Sequence, residues 1–356
     1  MEKTRNRSKY TFDYDPHIES LLDESLKQIA REVQQDPCAK HLKYLVLGGG
    51  YGRGEGGILK KQNGETDLYN DLDFFVISET FIPHLNRNLD LLFQRISKEW
   101  HSKLHIDIDF SRSTYVGYIK KRLHIQMWRE MVLGARILVG DENEFKRDFH
   151  VLPSQMPASE TAKLLINRLT GLFLARQRLF QNTLFEEDYD FIARNINKTI
   201  LACGDAILIS SNKYVFRTED RFHLLSKLKL EDAEFLNLLT QSYDEAVEFK
   251  KHPQIIFHQV YYKEKSEQII PLCEKVIKFI HPYLLCEKGK SMTEKLKEIK
   301  LLLQLKQSLH FFGIKFSFST QPYLAIISVL LKLLRAQAPA PEAEKVEYMK
   351  IWRKIG

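Results

Sequence analysis

Cysteine is scarce in this chain: four in 356 residues, at Cys38, Cys203, Cys273 and Cys286. They form no C-x-x-C pair and lie in apolar helical contexts, which argues for reduced thiols in a cytoplasmic protein. Long apolar runs are also missing. The most apolar segment, Tyr323 to Leu334, is broken by Ser328 and Lys332. It falls short of the roughly 20 residues needed to cross a bilayer and reads as a buried helix, so no membrane span is expected. The polar start, Met1-Glu2-Lys3-Thr4-Arg5-Asn6-Arg7, is followed by no apolar stretch of a secretory signal. There is no internal repeat and no basic stretch interleaved with aromatics. The net charge of +7 favours phosphate-bearing partners without establishing nucleic-acid binding. With 44% apolar and 28% charged residues, the composition is that of an ordinary globular protein with room for two domains.

What the chain does have is concentrated between residues 45 and 78. A short apolar run, Tyr44-Leu45-Val46-Leu47, breaks into Gly48-Gly49-Gly50-Tyr51-Gly52-Arg53-Gly54-Glu55-Gly56-Gly57, and a second run carries Asp71-Leu72-Asp73-Phe74-Phe75-Val76-Ile77. On a strand the side-chain period is two, so Asp71 and Asp73 leave one face while Leu72 and Phe74 leave the other. Neighbouring carboxylates repel unless a cation sits between them. Mg²⁺ is typically held by a few carboxylates together with substrate phosphates, and adjacent glycines let backbone N–H groups approach phosphate oxygens. The stretch therefore reads as a metal and phosphate site.

Two other phosphate motifs fail on context. Gly52 to Gly57 formally satisfies G-x-G-x-x-G, but a dinucleotide fingerprint opens a long helix, and here a polar loop follows. A Walker A loop needs Gly-Lys-Ser/Thr, which Ile58-Leu59-Lys60 does not supply.

Gly49-Gly50-Tyr51-Gly52-Arg53-Gly54-Glu55, followed by Asn70-Asp71-Leu72-Asp73-Phe74, resembles the signature of the DNA polymerase β-like nucleotidyltransferase superfamily. That signature is a glycine turn, an Arg-Gly-Glu and an Asp-x-Asp on the next strand. Gly56 to Asn70 is longer than the equivalent loop of minimal members and has the composition of a solvated insertion. The resemblance implies a third carboxylate on a neighbouring strand. His105-Ile106-Asp107-Ile108-Asp109-Phe110 alternates strictly and offers two acids on one face. Asp107, at mid-strand, is favoured, with Asp109 as the alternative. Acids alternating on an edge strand can also simply face water.

Helical periodicity is expected over residues 17 to 35, before Asp36-Pro37, and again from Leu85 to Trp100. Gln126 to Leu133 reads as helical and Arg136 to Gly140 as extended. The pair of prolines in Leu152-Pro153-Ser154-Gln155-Met156-Pro157 marks a boundary. Beyond it the pattern is helical almost throughout, near 159 to 180, 191 to 210, 231 to 250, 266 to 280, 293 to 310 and 322 to 335. The expected fold is α+β: residues 1–150 form a nucleotidyltransferase domain with a small mixed sheet flanked by helices. Residues 151–335 form an all-helical domain that binds the acceptor and closes over the nucleotide, and residues 336–356 a linker and short amphipathic tail.

The resemblance implies a two-metal reaction that moves a nucleoside monophosphate from an NTP to an acceptor hydroxyl or phosphate and releases pyrophosphate. Mg²⁺ or Mn²⁺ would be held by Asp71, Asp73 and Asp107 (or Asp109), and the triphosphate by Gly49 and Gly50. Arg53 would contact phosphate or, equally, lock Glu55 or the strand ends. The stretch from Lys198 to Ala206, with Tyr214 and Arg217, is similar to the helical region of related enzymes, which implies that Lys198 meets the triphosphate and leaves Asp205 two turns along the same face. The acceptor is expected to be a small molecule or protein group rather than RNA. A catalytically inactive nucleotide-binding or protein-interaction module on the same fold is the alternative, against which stands the retention of all three acids.

Overall fold

A computed structural model describes residues 8–61, 63–151, 156–285, 292–314 and 321–355. The chain is α+β, with a small mixed sheet and 14 helices among the described residues. It divides into two compact units. The first comprises Met1–Ser154 together with Phe216–Thr218 and Glu248–Gln254, and the second comprises Gln155–Val215, Glu219–Val247 and Ile255–Gly356. The boundary residues Leu152 to Gln155 lie outside the described residues, as do the start of the chain through Arg7 and Cys286.

In the first unit α1 (Pro16–Gln35) starts where Asp15 accepts the Ile18 amide and Pro16 takes the first helical position. It leads through a 3₁₀ turn into β1 (Leu42–Leu47), and the glycine run then forms a single short helix, α2 (Gly49–Arg53). The expected solvated insertion contains a two-stranded hairpin, β2 (Ile58–Lys60) and β3 (Thr66–Leu68). Tyr51 fastens its base: the buried hydroxyl lies 2.9 Å from the Gly57 carbonyl, 2.9 Å from the Tyr69 amide and 3.2 Å from the Tyr69 carbonyl. Next come β4 (Asp71–Ser78), α3 (Pro83–Leu104), β5 (Asp107–Phe110), β6 (Thr114–Tyr115), α4 (Val116–Lys120), α5 (Gln126–Leu133), β7 (Arg136–Val139) and α6 (Glu142–Asp148). The strand expected from His105 begins two residues later. His105 instead ends α3 in the left-handed region (φ 55°), its amide donating to the His101 carbonyl.

The sheet runs β5-β4-β1-β7, with β6 also on β4. The β4–β5 pair is parallel and the β4–β1 and β1–β7 pairs are antiparallel. Alternation along β1 and β4 sorts the core. Leu45, Leu47, Leu72, Phe74 and Val76 pack with Ile18, Leu22 and Leu26 of α1 and with Leu92, Phe93 and Ile96 of α3. Tyr44, Val46 and Ile77 pack on the opposite side with Ile119, Trp128, Met131 and Phe145. Both sheet faces are thus covered along most of their length, as a sheet with crossover helices requires.

The second unit contains α7 (Ala158–Arg178), α8 (Glu186–Ser210), most of α9 (Thr218–Ser226) and α10 (Ala233–Lys251), then α11 (Gln259–Leu285), α12 (Met292–Phe311), α13 (Pro322–Arg335) and α14 (Glu342–Arg353). α7 packs on α8, α11 and α13. Proline does not end α11, which continues through Pro271 and Pro282. The C-terminal tail belongs to this core: Tyr348 and Ile351 of α14 are fully buried, and the Tyr348 hydroxyl bonds Thr170 at 2.5 Å. Cys203 and Cys273, 70 residues apart, bring their thiol sulfurs to 3.7 Å inside this core. Among the described residues no helix is long and apolar enough to cross a membrane.

Candidate metal centre

β4 and β5 run parallel, with Asp71 opposite Asp107 and Asp73 opposite Asp109. All four side chains leave the same sheet face, because each pair is separated by one core residue, Leu72 or Ile108. Three of them converge: carboxylate oxygens of Asp71, Asp73 and Asp109 lie within 4.8 Å of one another. Asp107 stands outside this group. Its side chain is 74% exposed and faces His101, with Nδ1 at 3.7 Å. The favoured third acid of the sequence reading is therefore the one turned to solvent, and the alternative, Asp109, completes the cluster.

The glycine turn is pressed against these acids. Gly48 donates its amide to the Asp73 carbonyl at 2.8 Å, and Gly49 follows in the left-handed region at φ 58°. A methyl group on Gly49 would overlap the Asp73 carboxylate. Glycine is required here both by the backbone angle and by the approach of the acid. At the other side Asn70 adopts φ 74° and its side-chain amide donates to Asp71. Asn is one of the few residues that enters this region readily.

Electrostatics reflect the crowding of like charge. The Asp109 carboxyl is pushed above its usual 3.8, first by partial burial and then by the charges of Asp71 and Asp107. A cleft of about 430 Å³ opens beside Asp109 along α3 and β5, lined by Ser97, Lys98, His101 and Asp107.

Arg53 is held by acids. Its Nε lies 3.4 Å from Glu55 Oε2 and its Nη1 3.3 Å from Glu130 Oε2. Glu55, only 4% exposed, gathers donors from far along the chain. The Thr218 amide reaches it at 2.6 Å, the Thr218 hydroxyl at 2.8 Å and Lys250 Nζ at 2.9 Å. The Arg-Gly-Glu segment thus forms a lock behind the glycine turn. Nothing near Thr218 or Lys250 in the sequence signals this role. Asn70 is the one extra participant with a legible cue, a turn-forming residue directly before the Asp-x-Asp.

Lys198 lies half-buried on α8 in the second unit. Asp205, on the same helix, is buried within a network in which Arg221 Nη1 at 2.5 Å and the Tyr243 hydroxyl at 2.9 Å donate to its carboxylate. The Tyr214 hydroxyl accepts from the same Arg221 nitrogen at 3.0 Å. Both partners satisfy a carboxylate that would otherwise be costly to bury.

No protein-family model, curated protein or solved structure matches this chain.

Proposed function

We propose that this protein is a Mg²⁺- or Mn²⁺-dependent nucleotidyltransferase that joins a nucleoside monophosphate to an acceptor hydroxyl or phosphate. The observation that carries the reading is the convergence of Asp71, Asp73 and Asp109 beside a glycine turn that touches Asp73. The donor set suits a hard cation. Oxygens bound to one Mg²⁺ at about 2.1 Å stand about 3 to 4.2 Å apart in octahedral geometry, close to the observed spacing. A bound divalent ion would neutralise phosphate charge and align attacking and leaving oxygens.

The chain's own residues supply the rest. Asp71, Asp73 and Asp109 would hold the cation, and the main-chain N–H groups of Gly49 and Gly50 would serve the triphosphate. The Arg53–Glu55 lock keeps the turn against Asp73. The acceptor oxygen forms its bond to the α-phosphorus as the bond to the β-phosphate oxygen breaks, pyrophosphate leaves, and the acceptor proton passes to solvent. The work is mainly positioning and charge neutralisation. The cleft lined by His101 and Asp107 is the space for an acceptor, a small molecule or a protein group in preference to RNA.

The test is to incubate the protein with each α-labelled NTP, Mn²⁺ and fractionated lysate, and to follow label into small molecules, protein and RNA. Asp109→Asn is expected to remove transfer by several orders of magnitude and Asp107→Asn to leave most of it. Full transfer by an Asp71→Asn, Asp73→Asn double variant would end this reading, and base-selective extension of RNA 3′ ends would change the acceptor.

A further inference from the structure

The edge of the sheet opposite β5 carries a second cavity. A cleft of about 540 Å³ lies among α1, β7 and α6, and since β7 and β5 are opposite edge strands it is separate from the acid cluster. Its volume falls within the range of about 300–1,000 Å³ typical of small-molecule sites. The lining combines apolar side chains, among them Leu26, Phe145 and Phe149, with four cations, Lys9, Lys27, Arg136 and Lys146, and two acids, Asp23 and Glu142.

Three of the cations are in ion pairs. Lys9 and Lys27 share Asp23 at 2.5 and 3.6 Å, and Lys146 pairs with Glu142 at 2.6 Å. Arg136 is not: among the described residues it has no ion pair. Its Nη2 donates to the Lys9 carbonyl, its guanidinium carbon lies 5.0 Å from the Tyr10 ring centre, and its Nε–H is buried without an acceptor. Glu19 and Asp23 attract it only from a distance, and burial pushes its pKa below the usual value. Both acids are committed elsewhere. Glu19 accepts from the Ser8 hydroxyl and the Lys9 and Tyr10 amides, and Asp23 from Lys9 Nζ and the Tyr10 hydroxyl. A half-buried guanidinium with a buried, unmet N–H and no ion pair is costly unless an acceptor completes it.

We propose that this cleft binds a small organic monoanion, a carboxylate or sulfonate on an apolar body, with Arg136 facing the anionic group and the aromatic lining covering the body. Arg136 is the lining cation without an ion pair and can take one anionic group, while the net positive lining favours an anion and the apolar surface distinguishes the ligand from inorganic phosphate. The proposal is independent of the reaction at Asp71, Asp73 and Asp109.

Calorimetric titration with phenylbutyrate, using uncharged phenylbutanol as the matched control, tests it. Wild-type protein is expected to bind phenylbutyrate saturably. Arg136→Met, which keeps the aliphatic stem, is expected to weaken it at least about tenfold, the scale of one charge-assisted hydrogen bond, while phenylbutanol binds both proteins alike. Ala30→Phe, on α1 in the cleft wall, should remove binding of both compounds by filling the space. No saturation of wild type at millimolar phenylbutyrate, or equal binding by Arg136→Met, overturns the proposal. Should Arg136→Met fail to fold, undiminished binding by Ala30→Phe overturns it.

Discussion

Asp109→Asn removes one charge from a cluster whose oxygens lie within 4.8 Å of one another. At that separation two unit charges repel by about 0.9 kcal/mol in bulk water and about 3.5 kcal/mol at an effective dielectric of about 20. Asp109 is exposed on one side, so the lower figure governs. The variant is expected to be about 1 kcal/mol more stable than wild type in chelator at neutral pH, a rise of about 2–4 °C in melting temperature for a domain of this size. In Mn²⁺ at about a hundred times the dissociation constant the order reverses, because wild type gains about 2.7 kcal/mol and the variant much less. The pH dependence follows from the carboxyl of Asp109, which is raised above 3.8 by partial burial and by Asp71 and Asp107. An acid whose folded pKa exceeds its unfolded one holds a proton more tightly when folded, so stability falls as pH rises between the two values. The advantage of Asp109→Asn is therefore full above the raised value and vanishes as pH falls to about 3.8. Scanning fluorimetry in chelator and in Mn²⁺ measures both orders. A wild-type melting point indifferent to Mn²⁺, or a variant less stable in chelator, refutes the reasoning.

Gly49→Ala places a side chain in the left-handed region, at a cost of about 1–2 kcal/mol, and displaces the Asp73 carboxylate; its circular dichroism should match wild type while Mn²⁺ stabilisation is lost. Glu55→Gln leaves Lys250 and Arg53 facing a neutral amide. Because Lys250 keeps some contact with water, the loss is expected near ~2 kcal/mol, below the roughly 3–5 of a fully buried pair, and urea unfolding reads it. Tyr51→Phe strips the partner from the Tyr69 amide and should cost about 1–3 kcal/mol, with earlier proteolytic cleavage within residues 58–68 as the local signature. Asp205→Asn weakens the buried pair with Arg221 and should lower stability by about 3 kcal/mol without changing the Mn²⁺ shift.

The sheet strands and long helices were legible because period-two alternation in Asp71 to Ile77 and helical spacing in residues 17 to 35 report burial directly. The choice between Asp107 and Asp109 was not, since both leave one face and alternation is silent on which neighbour each meets. Register sets Asp107 opposite Asp71 and Asp109 opposite Asp73 alike, and it is the placement of the side chains that brings Asp109 to the other two acids. Polar composition hid the β2–β3 hairpin, which depends on Tyr51 reaching Gly57 and Tyr69 from outside the segment. Asp205 and Lys198 share a helix, yet one spacing cannot show that Arg221 and Tyr243 bury the acid. The Thr218 and Lys250 contacts to Glu55 are tertiary facts with no local pattern.

Those contacts also bear on how the protein is made. Lys250 follows Glu55 by 195 residues, and at about 5–20 residues per second a ribosome takes about 10–40 s to deliver it. Throughout that interval the loop after α2 carries a carboxylate whose distant donors have not been synthesised, so the first unit cannot mature in step with its own emergence. A fragment released at residue 154 would remain permanently at that stage.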